Sequence, residues 1–130
     1  MEKDPVSPGE SAVRRHRIMV VEDDLLVADL VADMLEELDY IAVGPAPTLE
    51  RALELVEREA LDGAILDLNL NGVPVYPLAE RCIALGIPVM LATGYADRSL
   101  MPESCRHLPN LEKPFHFDTL RTTLAALLRT

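Results

Sequence analysis

Five side chains that could act together in chemistry stand at the ends of short apolar runs in this sequence. They are three carboxylates, one hydroxyl and one amine: Glu22, Asp23, Asp67, Thr93 and Lys113. Because open α/β sheets bind ligands outside the carboxyl ends of their strands, we expect these side chains to converge. Clustered carboxylates suit Mg²⁺, and a hydroxyl and a lysine beside them suit phosphoryl oxygens. The sequence therefore predicts a pocket for a metal ion and a phosphoryl group.

Each of these residues also has an ordinary structural interpretation. Asp23 or Asp24 could cap a helix, and Asp67 could be a solvated loop acid. Thr93 could reflect β-strand propensity alone, and a lone lysine is usually solvated. The combination of all five at strand ends favours the pocket. The three histidines show no ligand spacing, and no phosphate-binding loop or nucleophile elbow occurs in the sequence.

Apolar runs alternate with helical patterns through most of the chain. The runs predict five strands, at 18–21, 41–44, 64–66, 88–93 and 108–111. A helical pattern follows each run, so the fold class is α/β, with a parallel sheet and helices on both faces.

The helical patterns differ in strength. Thr48 is the expected N-cap of the second helix, and Gly86 is the expected residue after the end of the third. The segment 97–107 contains Pro102 and little apolar periodicity, so we expect only a short or frayed helix there. The stripe that predicts the first helix consists of Leu26, Leu30, Met34, Leu35 and Leu38.

The totals limit the classes of protein to consider. At 130 residues, 49% of them hydrophobic, the chain can bury a core as one domain. We expect a flexible tail at 1–16 and one folded domain at 17–130. The net charge of −10 argues against a nucleic-acid surface. Cys82 and Cys105 form no CxxC pair and are expected to be buried thiols. No signal peptide or membrane span is evident, which predicts a cytoplasmic protein without a membrane partner.

Four spaced motifs resemble the receiver domain of bacterial two-component response regulators. They are 20–24 (Val-Val-Glu-Asp-Asp), 64–67 (Ala-Ile-Leu-Asp), 91–93 (Leu-Ala-Thr) and 113–115 (Lys-Pro-Phe). The resemblance covers residues 17–130 and implies a flavodoxin-like (βα)₅ fold with a five-stranded, doubly wound sheet. It also implies a cis bond between Lys113 and Pro114.

The resemblance implies a role for each site residue. Asp67 would be the phosphoacceptor. Asp23 would bind Mg²⁺ directly, Glu22 would assist through water, and the backbone carbonyl of Asn69 would complete the protein ligands together with Asp67. The remaining two, which would hold the phosphoryl oxygens, are Thr93 and Lys113.

A narrower resemblance concerns 67–72, 75–77 and 91–95. These segments are similar to receivers with a Phe-Ala-Thr-Gly-Tyr motif, here beginning with Leu91, which are often linked to kinases of the HWE type. The usual switch aromatic, three residues before Lys113, is Asn110 in this chain. We therefore expect the segment from Gly94 to His107 to respond to phosphorylation instead, with Tyr95 as the substitute aromatic.

The implied function is that of a phosphoacceptor with intrinsic autodephosphorylation, rather than an enzyme acting on other molecules. Its partner would be a sensor histidine kinase or a histidine phosphotransfer protein. We expect a stand-alone signalling, relay or phosphate-sink protein without a DNA-binding output domain. Two alternatives are a phosphorylation-independent binding module and a Mg²⁺-dependent phosphatase of the haloacid dehalogenase type. The phosphatase would need a second acid at the position of Asn69.

Overall fold

The computed structural model describes residues 15–94 and 98–128. Five strands form its main sheet: β1 (Arg17–Val21), β2 (Ile41–Ala46), β3 (Gly63–Asp67), β4 (Val89–Thr93) and β5 (Asn110–Glu112). The helices are α1 (Leu25–Glu37), α2 (Leu49–Arg58), α3 (Tyr76–Ala84) and α4 (Phe117–Leu127). A short antiparallel hairpin pairs Asn69–Leu70 with Val73–Pro74, and two 3₁₀ turns cover Arg98–Leu100 and Glu103–Cys105.

All five strands are parallel, in the order β2-β1-β3-β4-β5. The chain winds outward in both directions from β1 and β3, so the strand order reverses between these two central strands. Val21 of β1 lies beside Leu66 of β3 in the register. The residues that follow β1 and β3 therefore emerge next to each other at the switch point of the sheet, where such folds bind ligands. The flavodoxin-like fold class expected from the sequence is confirmed.

Two separate apolar layers cover the two faces of the sheet. One layer combines residues of α2, α3 and the 3₁₀ turns, including Leu55, Leu78 and Met101. The other combines residues of α1 and α4, including Leu35 and Leu120. Alternate residues of the central strands serve opposite layers: Met19 belongs to the first and Val20 to the second. These strands are buried on both faces, which explains their continuous apolar runs.

Helix α1 forms as predicted, and its leucine stripe is only partly buried. The residues buried against the sheet are Ala28, Val31 and Leu35. Met34 and Leu38 of the stripe pack against the same layer, whereas Leu26 and Leu30 are 83% and 54% exposed. The stripe is wider than the buried face because α1 carries apolar residues around most of its circumference.

The connection between β4 and β5 contains no α-helix over its described part, only the two 3₁₀ turns. The sequence predicted a short or frayed helix there and few apolar anchors. Two side chains of the described part of 97–107 are buried, Met101 (2% exposed) and Cys105 (0%), and Leu108 (7%) follows them. Arg98 also donates from its guanidinium to the carbonyl oxygens of Arg106 and Leu108. Tyr95 lies outside the described residues.

Residues 15 and 16, at the end of the predicted tail, are held against β2. The carbonyl oxygen of His16 accepts from Ile41 N at 2.8 Å, and the Arg15 guanidinium donates to Tyr40 O at 2.9 Å. The rest of the predicted tail lies outside the described residues. Cys82 and Cys105 are free and buried, as predicted. Within 15–94 and 98–128, every helix is too short or too polar to cross a bilayer.

Candidate functional site

The turn after β1 separates three adjacent acids into three different positions. Asp24 is the N-cap of α1, and its Oδ1 accepts from Leu26 N at 3.0 Å. Glu22 points inward, is 4% exposed, and accepts from Asp24 N through Oε2 at 3.1 Å. Asp23 Oδ2 accepts from Asn71 N at 2.9 Å, across 48 residues of sequence. The capping interpretation therefore holds for Asp24 and leaves Asp23 beside the strand ends.

A bulge in β2 fixes where this turn begins. The register between β1 and β2 shifts between Met19 and Val21, and Glu22 N then donates to Ala46 O at 3.0 Å. Gly44 makes the bulge with a φ of +104°, where a Cβ would lie 2.9 Å from Ala46 N and 3.0 Å from Val20 O. A side chain at position 44 would therefore push β2 away from the strand that presents Glu22.

The carboxylates of Glu22, Asp23 and Asp67 each offer an oxygen within 4.8 Å of the others. Three hard oxygen donors at this separation fit Mg²⁺, which prefers carboxylates at close range. Both oxygens of Glu22 already face protein donors. Asp23 Oδ1 receives no hydrogen bond from the described residues, so Asp23 has the more available oxygen for direct coordination.

Lys113 is the cation of the cluster. Its backbone N donates to Thr93 O at 2.8 Å, which ties the loop after β5 to the end of β4. Its Nζ lies 2.7 Å from Glu22 Oε1 and 3.4 Å from Asp67 Oδ2. The bond to Pro114 is cis, as the resemblance implied.

Burial shapes the charge of the two central groups. Asp67 is 7% exposed. Burial and the nearby charge of Glu22 raise its pKa from 3.8 to about 6, against the opposing effect of Lys113. Burial disfavours the charged form of Lys113, but its hydrogen bond to Glu22 and the charge of Asp67 outweigh burial, so the pKa of Lys113 is raised. One cation balances two buried carboxylates here, which leaves a negative pocket suited to a divalent metal ion.

The two remaining predicted site residues lie in the same region. Thr93 is buried at the end of β4, one strand away from Asp67, which pairs with Ala92 in the register. Asn69 lies two residues beyond Asp67, and its backbone N donates to Asp67 Oδ1 at 3.3 Å. The structure thus brings all six predicted residues to one edge of the sheet.

Asn71 is a contact of the site that the sequence reasoning missed. Its backbone amide reaches Asp23 because of the hairpin after β3, and a backbone donor leaves no side-chain signature. Asn71 and Gly72 together form an Asn-Gly pair, however, which is a known signal for a tight hairpin turn. That signal could have placed the amides of 71 and 72 close to the strand ends.

Asn110 sits in β5 beside Leu91 of β4. Its Oδ1 is buried and receives no hydrogen bond from the described residues. A buried carbonyl oxygen without a hydrogen bond is unfavourable, so Asn110 costs free energy at this position.

Comparison with known proteins decides the family. The response regulator receiver domain family matches residues 18–125, which include every strand end described above. The chain belongs to this family. It is thus a receiver domain of the two-component type, and receiver domains take phosphate from histidine kinases and bind Mg²⁺ at an acidic pocket.

Curated relatives of this receiver domain are larger proteins. It is 30% identical over 122 residues to the transcriptional regulatory protein PdtaR of Mycobacterium tuberculosis, covering 89% of the chain and 58% of PdtaR. It is also 30% identical over 113 residues to the sensor histidine kinase RcsC of Salmonella typhimurium, covering 83% of the chain and 12% of RcsC. The chain therefore spans little more than half of the first relative and a small part of the second.

A solved relative matches nearly end to end. The solution structure of SdrG from Sphingomonas melonis Fr1 superposes with a TM-score of 0.77 and 42% identity, covering 88% of this chain and 97% of SdrG. A BeF3-activated conformation of SdrG from Pseudomonas melonis Fr1 superposes with a TM-score of 0.73 and 43% identity, covering 86% and 95%.

Proposed function

We propose that this receiver domain accepts a phosphoryl group on Asp67 from the phosphohistidine of a sensor histidine kinase or a phosphotransfer protein. The observation that carries the proposal is the position of Asp67, a buried carboxylate at the switch point of the sheet with Lys113 Nζ 3.4 Å away. The BeF3-activated conformation of SdrG supports it, because it concerns a receiver with 43% identity to this chain.

The transfer forms a bond from a carboxylate oxygen of Asp67 to phosphorus and breaks the bond from phosphorus to the histidine nitrogen. The imidazole leaves with the electron pair of the broken bond. Lys113 and the hydroxyl of Thr93 hold the phosphoryl oxygens, and the buried position of Asp67 keeps its oxygen aligned with phosphorus. A later attack of water on phosphorus regenerates the carboxylate and releases phosphate, so the protein is an acceptor that resets itself.

Asp23, Asp67 and the backbone carbonyl of Asn69 would hold Mg²⁺, with Glu22 acting through a water molecule. The ion would supply positive charge against the phosphoryl oxygens. Glu22 also holds Lys113 in place, because its Oε1 accepts from Nζ at 2.7 Å. Removal of Mg²⁺ with a chelator should therefore prevent phosphorylation without unfolding the protein.

The direct test is Asp67→Asn, which keeps the size of the side chain and removes the nucleophilic oxygen. With acetyl phosphate and Mg²⁺, we expect an acid-labile phosphoryl adduct on the wild-type protein and none on the variant, as measured by intact-mass spectrometry. Asp33→Asn, which changes an exposed carboxylate on α1, is the matched control and should be phosphorylated normally. An undiminished adduct on Asp67→Asn would sink the proposal.

A further inference from the structure

The hairpin that follows β3 contacts two carboxylates of the site through its backbone. Asn69 N donates to Asp67 Oδ1 at 3.3 Å, and Asn71 N donates to Asp23 Oδ2 at 2.9 Å. Each carboxylate therefore has one oxygen fixed by the same short hairpin. The second contact joins two separate loops, because Asp23 follows β1 and Asn71 follows β3.

A two-residue turn at the tip directs the Asn71 amide toward Asp23. Asn71 and Gly72 have φ values of 51° and 85°, both in the left-handed region that a tight hairpin turn of this type requires. The side chain of Asn69 closes the turn, because its Oδ1 accepts from Gly72 N at 2.6 Å. A change of backbone conformation at Gly72 would therefore move the amide that Asp23 depends on.

The base of the hairpin is anchored while its tip faces solvent. Leu70 is 2% exposed and belongs to the apolar layer of α2 and α3, and Val75 N donates to Leu68 O at 3.2 Å. Gly72 has no atom within 4 Å of the position of an added Cβ. The turn is thus held on the protein from below, and a side chain at its tip meets no steric obstacle.

An amide bonded to one carboxylate oxygen selects the rotation of that carboxylate. Asp23 has two freely rotating side-chain torsions, and among the described residues Asn71 N is the hydrogen-bond donor that fixes them. With Oδ2 bonded to the hairpin, Oδ1 is left for a metal ion. A charge-assisted bond of this type is stronger than one between neutral groups.

We propose that the Asn71–Gly72 turn is a positioning element for the metal-binding carboxylate of Asp23. The turn acts through the Asn71 amide, and the Asn69 side chain keeps the turn closed. This inference rests on the proposed function in one respect, namely that Asp23 binds Mg²⁺. It assigns a role to Asn71 and Gly72, which are not among the six predicted residues of the site.

Substitutions of Gly72 and Gly86 can separate an effect on the position of Asp23 from an effect on the stability of the fold. Gly72 and Gly86 both have positive φ, 85° and 76°, and both have open space around an added Cβ. Valine at either position meets the same backbone strain. Gly86 follows α3 at the opposite end of the sheet, so Gly86→Val is a matched control for Gly72→Val.

The experiment is a Mg²⁺ titration of the phosphate-free protein, followed by NMR or calorimetry, with urea denaturation of each variant. We expect Gly72→Val to weaken Mg²⁺ binding about tenfold, while Gly86→Val costs similar stability and leaves the affinity unchanged. Gly72→Asn should bind Mg²⁺ nearly as well as the wild type, because asparagine tolerates the left-handed conformation. Asn69→Ala, which keeps the backbone carbonyl but removes the acceptor for Gly72 N, should weaken binding and accelerate hydrogen exchange of the Gly72 amide.

Unchanged Mg²⁺ affinity in both Gly72→Val and Asn69→Ala would overturn the inference, as would an equal loss in Gly86→Val. Asp23→Asn distinguishes this failure from a failure of the proposed function. If Asp23→Asn abolishes Mg²⁺ binding while the hairpin variants do not affect it, the metal site stands and the positioning role is wrong. If Asp23→Asn leaves binding intact, the metal assignment itself is wrong and the inference falls with it.

Discussion

At the scale of single residues, the site combines buried acids with one cation. Asp67 and Glu22 are both nearly inaccessible, and Lys113 bonds Glu22 more closely than Asp67. Glu22 thus holds the ammonium group of Lys113 beside Asp67. Ionisation of Asp67 costs free energy because the carboxylate is buried, and the raised pKa of Asp67 reflects that cost.

This cost predicts that Asp67→Asn stabilises the protein at neutral pH. Between its ordinary pKa of 3.8 and the folded value of about 6, the folded protein binds a proton that the unfolded chain has lost. Stability therefore falls as the pH rises through this range, and ionised Asp67 is destabilising above it. We expect a gain of roughly 1–2 kcal/mol for the variant at pH 7.5 and about half of it at pH 5.

Urea denaturation without Mg²⁺ at both pH values measures this gain. Asp33→Asn removes an exposed carboxylate and should leave the stability nearly unchanged at either pH. If Asp67→Asn is no more stable than the wild type at pH 7.5, Asp67 is not strained by its burial and the electrostatic account of the pocket fails.

At the scale of elements, α1 leaves an apolar surface next to the site. Leu26 and Leu30 are exposed, and Leu30 borders a cleft of about 240 Å³ that Lys113, Pro114 and Phe115 also line. Exposed apolar clusters of this type mark interaction surfaces. The acids beside the leucines, including Asp29 and Asp33, favour a partner with basic residues around an apolar centre.

We therefore predict that Leu30→Ala lowers phosphotransfer from a cognate histidine kinase by roughly five- to tenfold, since about 1–1.4 kcal/mol of apolar contact would be lost. Phosphorylation by acetyl phosphate should change much less, because the apolar side chain of Leu30 offers no polar atom to the phosphoryl group. Radiolabelled phosphotransfer assays compare the two donors. Ile83→Ala, which truncates a 40% exposed residue on α3, is the control. Equal loss with both donors would point to damage of the site instead.

At the scale of the whole molecule, the segment between β4 and β5 is part of the core even though it lacks an α-helix. Met101, Cys105 and Leu108 complete the apolar layer that α2 and α3 begin. The hypothesis that this segment responds to phosphorylation stays a prediction. A response that moved Met101 or Cys105 would also change the packing of α3, because these side chains share one apolar layer.

Met101→Ala tests this role in the core. Met101 is 2% exposed, so its truncation should cost about 2–4 kcal/mol, as large-to-small changes in a core do. Its neighbour Leu100 is 76% exposed, and Leu100→Ala should cost less than about 0.5 kcal/mol. Thermal or urea denaturation compares the two. If both variants are equally stable, the segment does not belong to the folded core.

The sequence by itself determined the strands, the fold class and the residues of the site. It could do so because buried parallel strands are continuous apolar runs, and because site residues directly follow strand ends, so both signals are local in sequence. The N-cap at Thr48 and the glycine after α3 were predictable for the same reason: capping depends on neighbouring residues.

Only the tertiary structure decided which face of α1 is buried, which acid caps it, and how Asn71 reaches Asp23. The apolar residues of α1 fit more than one face, and packing on the sheet buries the face that carries Ala28, Val31 and Leu35. Asp23 and Asp24 are the same residue type in adjacent positions. Their roles separate because an amide 48 residues away bonds Asp23. Contacts between distant segments arise from the packing of the sheet and its loops, and no local pattern encodes them.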